Sequence, residues 1–179
     1  MQPNAAGIAP PEDPAREYPA MSLLTLHRTT VQPGWVDYNN HLNDGYYTVI
    51  FSDATTALMA YVGLGPAERQ ATNHTLFTLE MHTNYLLEVK GGAEVRVDTQ
   101  LLAYDAKRLH IFHTMHRSNE AAIVATNEQM LLSIDMAGPK AAPFQPNVLA
   151  KIENIWQAHK DLPRHKNAGR SIGLPPKKD

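Results

Sequence analysis

One long helical segment lies between strand-like segments, and this order limits the folds that residues 21–136 can adopt. Between residues 46 and 62, apolar side chains recur at spacings of three and four, which places them on one stripe of a helix. The stripe consists of Tyr47, Ile50, Phe51, Ala54, Leu58 and Tyr61. Asn43 suits the cap before the first turn, Asp44 suits that turn, and Gly63 can take the left-handed conformation that ends a helix. We therefore predict one long helix between Asn43 and Gly63.

The segments on both sides of this helix have the composition and alternation of β-strands. Residues 22–32 predict a first strand, and residues 75–89, 94–104, 108–117 and 121–135 predict four more, separated by short turn signals. An apolar helix needs a cover, so the order predicts an α+β fold in which one antiparallel sheet wraps a long central helix. Such a sheet leaves an edge strand unpaired, and pairing across a two-fold axis predicts a homodimer, with a tetramer left open.

Proline placement predicts the domain boundaries. Five of the 13 prolines fall within residues 1–20, which we expect to form a flexible leader. Residues 21–136 form the predicted folded domain, and residues 137–179 form an extension with a short helix and a basic tail. In that short helix, Val148, Ile152 and Ile155 share one stripe.

Composition excludes several kinds of chemistry. The chain has no cysteine, which rules out disulfides, thiolate metal sites and a cysteine nucleophile. Its formal net charge of -2 gives no basic field for nucleic acid. No apolar run reaches the length that spans a bilayer and no signal peptide is visible, so we expect a cytoplasmic protein without membrane partners.

Residues 37–43, DYNNHLN, carry the most distinctive chemistry in the sequence. They place a carboxylate, a histidine and three carboxamides immediately before the predicted helix. A helix N-terminus has unpaired amides and partial positive charge, which can stabilise a developing oxyanion. A carboxylate just ahead can act as a nucleophile or general base on the same carbonyl. A capped, hydrogen-bonded turn is the competing interpretation, because Asp and Asn are also common turn residues.

The segment WVDYNNHLNDGYY, followed by a long helix, resembles the signature of hotdog-fold acyl-CoA thioesterases of the 4-hydroxybenzoyl-CoA thioesterase-like group. Its pattern of Asp37, Asn39, His41 and Asn43 also resembles the Asp-x-Asn-x-His-x-Asn motif of plant acyl-ACP thioesterases. Later segments, including NEQMLLSID and LPRHKNAGRSIGLP, are similar to betainyl-CoA thioesterases of bacterial carnitine catabolism. The resemblance implies hydrolysis of a short polar acyl-CoA, with betainyl-CoA converted to betaine and CoA, and without a cofactor or metal.

The resemblance also implies roles for individual residues. Asp37 would attack the thioester or activate water, while Asn39 and His41 orient the loop, the water or the substrate. Backbone amides near Gly45 and Tyr46 would polarise the thioester carbonyl, and Asn43 would cap the helix at the edge of the substrate site. Position 40 is Asn where such motifs often have Gly, and this departure puts the loop geometry in question.

A betainyl group carries a quaternary ammonium, which binds the faces of aromatic rings. The aromatic candidates for this contact are Trp35, Tyr38, Tyr46, Tyr47 and Tyr85. Glu80 is a candidate counter-charge. Packing in the core is the competing interpretation for the rings. Two functional alternatives stay open at this point: a hotdog thioesterase for an aromatic or fatty acyl-CoA, and a non-catalytic module that binds acyl-CoA.

Two further patterns predict no site. Residues 169–173 match G-x-S-x-G, but no strand precedes them and two prolines follow, so the geometry of a nucleophile elbow is not expected. His110, His113 and His116 repeat every third residue, which puts His113 on the opposite face of a strand from the other two. A structural or exposed role is therefore expected for these histidines, and a solvated one for the basic side chains of the tail.

Overall fold

The computed structural model describes residues 22–118 and 120–174, so the predicted leader at residues 1–20 lies outside the described residues. The helices are α1 (Asp44–Val62), α2 (Pro66–Thr72) and α3 (Pro146–His159). The strands are β1 (Leu24–Thr30), β2 (His74–Tyr85), β3 (Glu94–Tyr104), β4 (Arg108–Arg117), β5 (Ile123–Asp135) and β6 (Lys140–Ala141). This order confirms the predicted strand, long helix and four-strand succession.

Helix α1 begins and ends at the residues that the sequence indicates. The Asn43 side chain accepts a hydrogen bond from the Gly45 amide, and Asp44 lies in the first turn. Gly63 adopts φ 90° and donates its amide to the carbonyls of Met59 and Ala60. A left-handed residue at this point releases the chain from the helix, and glycine does so without a steric penalty.

The sheet is antiparallel and its strands lie in the order β1-β3-β4-β5-β2, with β6 on the end of β5. Strands β3, β4 and β5 pair in succession through hairpins, whereas β1 pairs with β3 and β2 pairs with β5, both distant in sequence. Among the described strands, β1 and β2 are therefore the two edges. The predicted single antiparallel sheet is confirmed, and its order places the strand that follows α2 at the edge farthest from β1.

The core lies between α1 and the sheet. Ile50 and Phe51 of α1 are fully buried against strand residues such as Val97 and Met115. At the other end of α1, Leu58 packs in a second cluster together with Ile152 of α3. The C-terminal half of α1 and the short helix α3 thus share one of the two apolar clusters.

Two elements differ from the sequence prediction. The short helix α2 was not predicted, because its sequence PAERQAT has no apolar stripe and none of its residues is buried. Strand β2 ends at Tyr85 rather than continuing to residue 89. The amides of Leu86 and Leu87 both donate to the Val124 carbonyl, so the regular ladder stops there although the composition still favours a strand.

The chain after α3 packs on the face of the sheet opposite α1. The His165 ring stacks on Phe112 of β4 at a centroid distance of 5.2 Å, and Arg164 donates to the Leu102 carbonyl of β3 at 3.1 Å. Arg164 is exposed, as expected for the basic tail, but it also binds the sheet. Its guanidinium finds a backbone acceptor on the sheet, which sequence spacing does not reveal.

No single helix in the described part of the chain is long and apolar enough to cross a membrane. Helices α1 and α2 reach the length and apolar composition of a membrane span only when taken together, and the chain bends by 59° between them.

Candidate active site

The loop that leads into α1 is a compact turn closed by backbone hydrogen bonds. The Asp37 amide donates to the His41 carbonyl at 2.8 Å, and the Asn40 amide donates to the Asp37 carbonyl at 3.0 Å. Asn40 has φ 61°, in the left-handed region that Asn tolerates better than most residues. The sequence departure at position 40 therefore keeps a turn that a glycine would also allow.

The Asp37 carboxylate is held by the same turn. Its Oδ1 accepts the amides of Asn39 at 2.8 Å and of His41 at 3.0 Å. The hydrogen bond from the His41 amide lowers the pKa of Asp37; slight desolvation opposes this, and the Asn39 amide lowers the pKa further. The carboxyl is therefore ionised at neutral pH and fixed in orientation, as a nucleophile or general base requires.

The His41 side chain pairs with Glu88, and its charge also helps to lower the pKa of Asp37. Its Nε2 lies 3.3 Å from Glu88 Oε2, and its backbone forms a bridge with Lys90. His41 thus orients Asp37 through its main chain, while its ring faces a second segment. Asn39 is exposed and likewise contacts Asp37 through its amide.

The start of α1 uses its first amides for its own cap. The Gly45 amide donates to Asn43 Oδ1 at 3.0 Å and to Asp44 Oδ1 at 2.9 Å, and the Tyr46 amide donates to the Asn43 carbonyl at 3.0 Å. These are the two amides to which the family resemblance gives the role of polarising the thioester carbonyl. An oxyanion at the Gly45 amide would have to replace the side chains of both Asn43 and Asp44. In this structure Asn43 acts as the cap.

The structure brings some of the aromatic candidates together. Trp35 and Tyr46 stack with ring centroids 5.6 Å apart and planes 16° apart, which forms one aromatic wall beside the helix start. The Tyr85 hydroxyl donates to the Asp44 carbonyl at 3.3 Å, and its ring meets Tyr47 edge-on at 5.3 Å. Both pairs therefore border the N-terminus of α1.

Two of the candidates lie apart from this group. Tyr38 is 97% exposed and has no ring partner among the described residues. Glu80 shares a face of β2 with Asn84, which binds the C-terminal tail, so Glu80 lies on the side of the sheet opposite α1. The strand rise also places it roughly 17 Å from Tyr85 along β2. Within one chain, Glu80 is not a counter-charge for the Asp37 loop.

Sequence reasoning missed the wall opposite this loop. The exposed residues Leu86, Leu87 and Glu88 separate two clefts of about 600 Å³ and 290 Å³. His41, Lys90, Ala93 and Arg117 complete the larger cleft, and Leu42, Asp44, Tyr47 and Tyr85 complete the smaller one. The sequence does indicate the turn at residues 90–92, but it predicts residues 86–88 as the end of a strand.

The structure also places the two patterns for which the sequence predicts no site. Ser171 lies in irregular chain, with no strand directly before it and no helix in the described residues 172–174 after it. His113 is fully buried between Thr55 and Thr99, whereas His110 pairs with Glu128 on the other face at 2.6 Å. No group of three potential metal ligands converges among residues 22–118 and 120–174.

A long helix wrapped by one antiparallel sheet, with an ordered carboxylate at the loop entering that helix, defines the class of hotdog-fold thioesterases. The chain belongs to the thioesterase-like superfamily, whose family model matches residues 31–152.

Relatives with known names agree with this membership. A betainyl-CoA thioesterase of Pseudomonas aeruginosa is 51% identical over 154 residues, which are 86% of this chain and 97% of that protein. An L-carnitine dehydrogenase/betainyl-CoA thioesterase of Agrobacterium fabrum is 37% identical over 84% of this chain and 31% of its own length. A Staphylococcus aureus protein solved in complex with CoA superposes with a TM-score of 0.81 at 31% identity, covering 89% of this chain and all of that one. The thioester hydrolase class predicted from the sequence is confirmed.

Proposed function

We propose that this protein hydrolyses betainyl-CoA to betaine and CoA, with Asp37 as the catalytic carboxylate. The observation that carries the proposal is the Asp37 carboxylate itself, which two backbone amides hold in the ionised form at the entrance to α1. The match to the betainyl-CoA thioesterase over nearly its whole length supports the choice of acyl group.

Two routes use the same carboxylate. As a general base, Asp37 takes a proton from water while the water oxygen attacks the thioester carbonyl. The C–S bond then breaks, and the CoA thiolate takes up the proton. As a nucleophile, Asp37 forms a mixed anhydride as the thiolate leaves, and water then hydrolyses the anhydride. Both routes give one carboxylic acid and one thiol.

The charge that develops on the thioester oxygen needs hydrogen-bond donors. The positive end of α1 supplies partial charge, and the Gly45 amide becomes available once the side chains of Asn43 and Asp44 both move aside. On substrate binding, the thioester oxygen would thus replace side-chain oxygen as the acceptor of the Gly45 amide.

The stacked rings of Trp35 and Tyr46 are the proposed binding surface for the trimethylammonium group. Their faces attract a cation, and their position beside the helix start places them next to the Asp37 loop. Tyr85, with its hydroxyl on Asp44, forms the neighbouring wall.

The proposal includes a homodimer formed by the free edge of β2. No described strand pairs with this edge, and it exposes apolar side chains, including Phe77 and Leu79, which a second copy would cover. The cytoplasmic location and a further pairing of dimers into tetramers stay predictions.

The experiment is thiol release, measured with DTNB, across a panel of CoA esters. The panel contains betainyl-CoA and 3,3-dimethylbutanoyl-CoA, which has the same shape but replaces the ammonium nitrogen by carbon. A preference for the charged ester of tenfold or more in kcat/KM, after division by the hydrolysis rate of each ester without enzyme, supports the cation-binding pocket. Equal rates, or faster hydrolysis of the uncharged ester, contradict it.

A second candidate function is hydrolysis of an apolar acyl-CoA. Leu42, Leu86 and Leu87 line the smaller cleft beside the helix start, and this apolar surface suits a hydrocarbon chain. Octanoyl-CoA and benzoyl-CoA in the same panel decide between the two, because a hydrocarbon site favours them over betainyl-CoA.

A further inference from the structure

The C-terminal tail crosses the sheet strand by strand toward its edge. Beyond its contacts with β3 and β4, the Asn167 side chain donates to Thr126 Oγ1 of β5 at 3.4 Å. Arg170 then donates to Asn84 Oδ1 of β2 at 3.3 Å. Since β2 is the last strand of the described sheet on this side, the tail reaches the edge strand at Arg170.

The residues that follow carry apolar side chains without cover in a single chain. Ile172 is 91% exposed and Leu174 is 97% exposed. Large apolar side chains at such exposure favour burial against another surface. The tail is anchored on β2 only two residues before Ile172, so that surface must lie next to the β2 edge.

The free edge of β2 points to a second copy of this chain as that surface. No described strand pairs with this edge, and it exposes Phe77 to 44% and Leu79 to 56%. We propose that residues 171–174 of each subunit cross the junction between two β2 strands and pack Ile172 and Leu174 on the second copy. The inference rests on the homodimer in the proposed function and assigns the tail a place in it.

The register of β2 indicates where the tail arrives. Asn84 lies opposite Thr126, and Phe77 lies opposite Leu132. Residues 126 and 132 are separated by an even number of positions, so Asn84 and Phe77 face the same side of the sheet. Two β2 strands that pair antiparallel about their middle bring the Asn84 end of one beside the Phe77 end of the other. Ile172 of one subunit therefore meets Phe77 of the second copy.

The absence of cysteine from the chain allows a direct test. In the double variant Ile172→Cys/Phe77→Cys, the two introduced thiols are the only ones, and a disulfide needs their Cα atoms within about 7 Å. Mild oxidation is expected to give a covalent dimer on a non-reducing gel, with peptide mapping linking positions 172 and 77. A Glu153→Cys/Phe77→Cys variant, with one thiol on exposed α3, serves as the matched control and should stay uncrosslinked.

Other results overturn the proposal. A disulfide within one chain means that the tail folds back on its own strand. Absence of a covalent dimer, in a variant that sedimentation shows to be dimeric, means that the tail does not reach the second copy. A wild-type protein that sediments as a monomer removes the homodimer and this inference together, whereas thiol release from betainyl-CoA still tests the catalytic proposal.

A second measurement does not depend on cysteines. The variant Ile172→Ser/Leu174→Ser is expected to raise the dimer dissociation constant by about tenfold or more, because two apolar side chains lose their burial. Ile172→Leu/Leu174→Ile keeps the apolar surface and should dissociate like the wild type. An unchanged dissociation constant in the serine variant contradicts the packing of these side chains at the interface.

Discussion

The amide of His41 donates a hydrogen bond to Asp37 Oδ1 at 3.0 Å, and the carbonyl of His41 accepts one from the Asp37 amide at 2.8 Å. The two residues thus close a turn of which the carboxylate is itself a part. A charge held by main-chain donors keeps its position without a second side chain to orient it. This arrangement lets the identity of the acid be tested apart from the fold of the loop.

Replacing Asp37 by Asn is expected to lower kcat for betainyl-CoA by at least about 10²-fold, the lower range for loss of a general base. The amide oxygen of Asn can still accept the two backbone hydrogen bonds, so the loop should persist. DTNB measures the rate, and calorimetric titration with desulfo-CoA checks that ligand binding is kept. The control is Asp161→Asn, at an exposed carboxylate, and this substitution should leave kcat unchanged. A D37N enzyme with wild-type kcat would remove Asp37 from the mechanism.

Position 40 should accept glycine and reject valine. Asn40 has φ 61°, and a β-branched residue there costs about 1–2 kcal/mol, whereas glycine adopts the same angle freely. Asn40→Gly should therefore keep kcat near that of the wild type, while Asn40→Val lowers both the melting temperature and kcat. Equal kcat in the two variants would show that the turn geometry does not matter for the reaction.

The turn at residues 37–41 also packs closely against the loop that contains Gly91. A Cβ at Gly91 would lie 2.7 Å from Asn40 Oδ1 and 3.3 Å from Val36 Cγ1, so Gly91→Ala displaces the Asn40 side chain. The double variant Asn40→Gly/Gly91→Ala removes that clash and should recover the kcat lost by Gly91→Ala alone. Recovery would show in the same DTNB assay, and its failure would point to a different cause for the loss.

Two substitutions of the cap residue Asn43 test helix stability and catalysis separately. Asn43→Ala should lower the free energy of unfolding by about 1 kcal/mol, because the Gly45 amide loses the Asn43 cap and keeps only the Asp44 side chain as acceptor. Asn43→Asp keeps the cap but puts a negative charge where the oxyanion is proposed to form. Urea denaturation should therefore find N43D as stable as the wild type while its kcat falls. A stable N43D enzyme with full activity would place the oxyanion elsewhere.

Trp35→Leu should reduce kcat/KM for betainyl-CoA by about fivefold or more, in line with the loss of about 1 kcal/mol of cation–π attraction. The uncharged 3,3-dimethylbutanoyl ester should lose much less, since it gains no such attraction from the ring. Tyr38→Leu is the matched control, because Tyr38 projects into solvent. Equal losses for both esters would assign Trp35 to packing with Tyr46 alone.

Stability should fall as the pH is lowered from about 6.5 toward 3, in part because of His113. Burial, together with the charge of nearby His27, lowers the pKa of His113 to about 3. Between the two pKa values the unfolded chain binds a proton that the folded protein does not, so the free energy of unfolding rises with pH. His113 alone contributes up to about 1.4 kcal/mol per pH unit in this range.

In the variant His113→Gln, the slope of the free energy of unfolding against pH should fall by up to the contribution of one proton. His82→Gln, on the edge strand β2, serves for comparison. Urea denaturation at a series of pH values measures both slopes. An unchanged slope in H113Q would show that His113 does not stay neutral in the folded protein.

Local signals account for what the sequence predicted well. Asn43 and Gly63 mark the ends of α1 because caps depend on residues close in the chain. The alternation around His113 correctly placed it on a different face from His110, since side chains in a strand alternate.

Contacts between distant segments were not predictable in the same way. The buried hydroxyl of Thr55 meets both His113 and Gln129, three residues on three separate elements. The end of β2 at Tyr85 depends on hydrogen bonds from residues 86 and 87 to Val124, 37 or more positions away. No local pattern in a single sequence carries such pairings.

The strand order has a consequence for synthesis of the chain. Strand β2 is translated soon after α1, yet its only described strand neighbour is β5, which is completed at Asp135. The buried stripe of α1 has no finished cover until those later residues have left the ribosome. Pairing at such long sequence separation slows folding and leaves apolar segments open to association in the meantime. We therefore expect nascent chains that stop before β5 to engage chaperones, and full-length chains to be released from them.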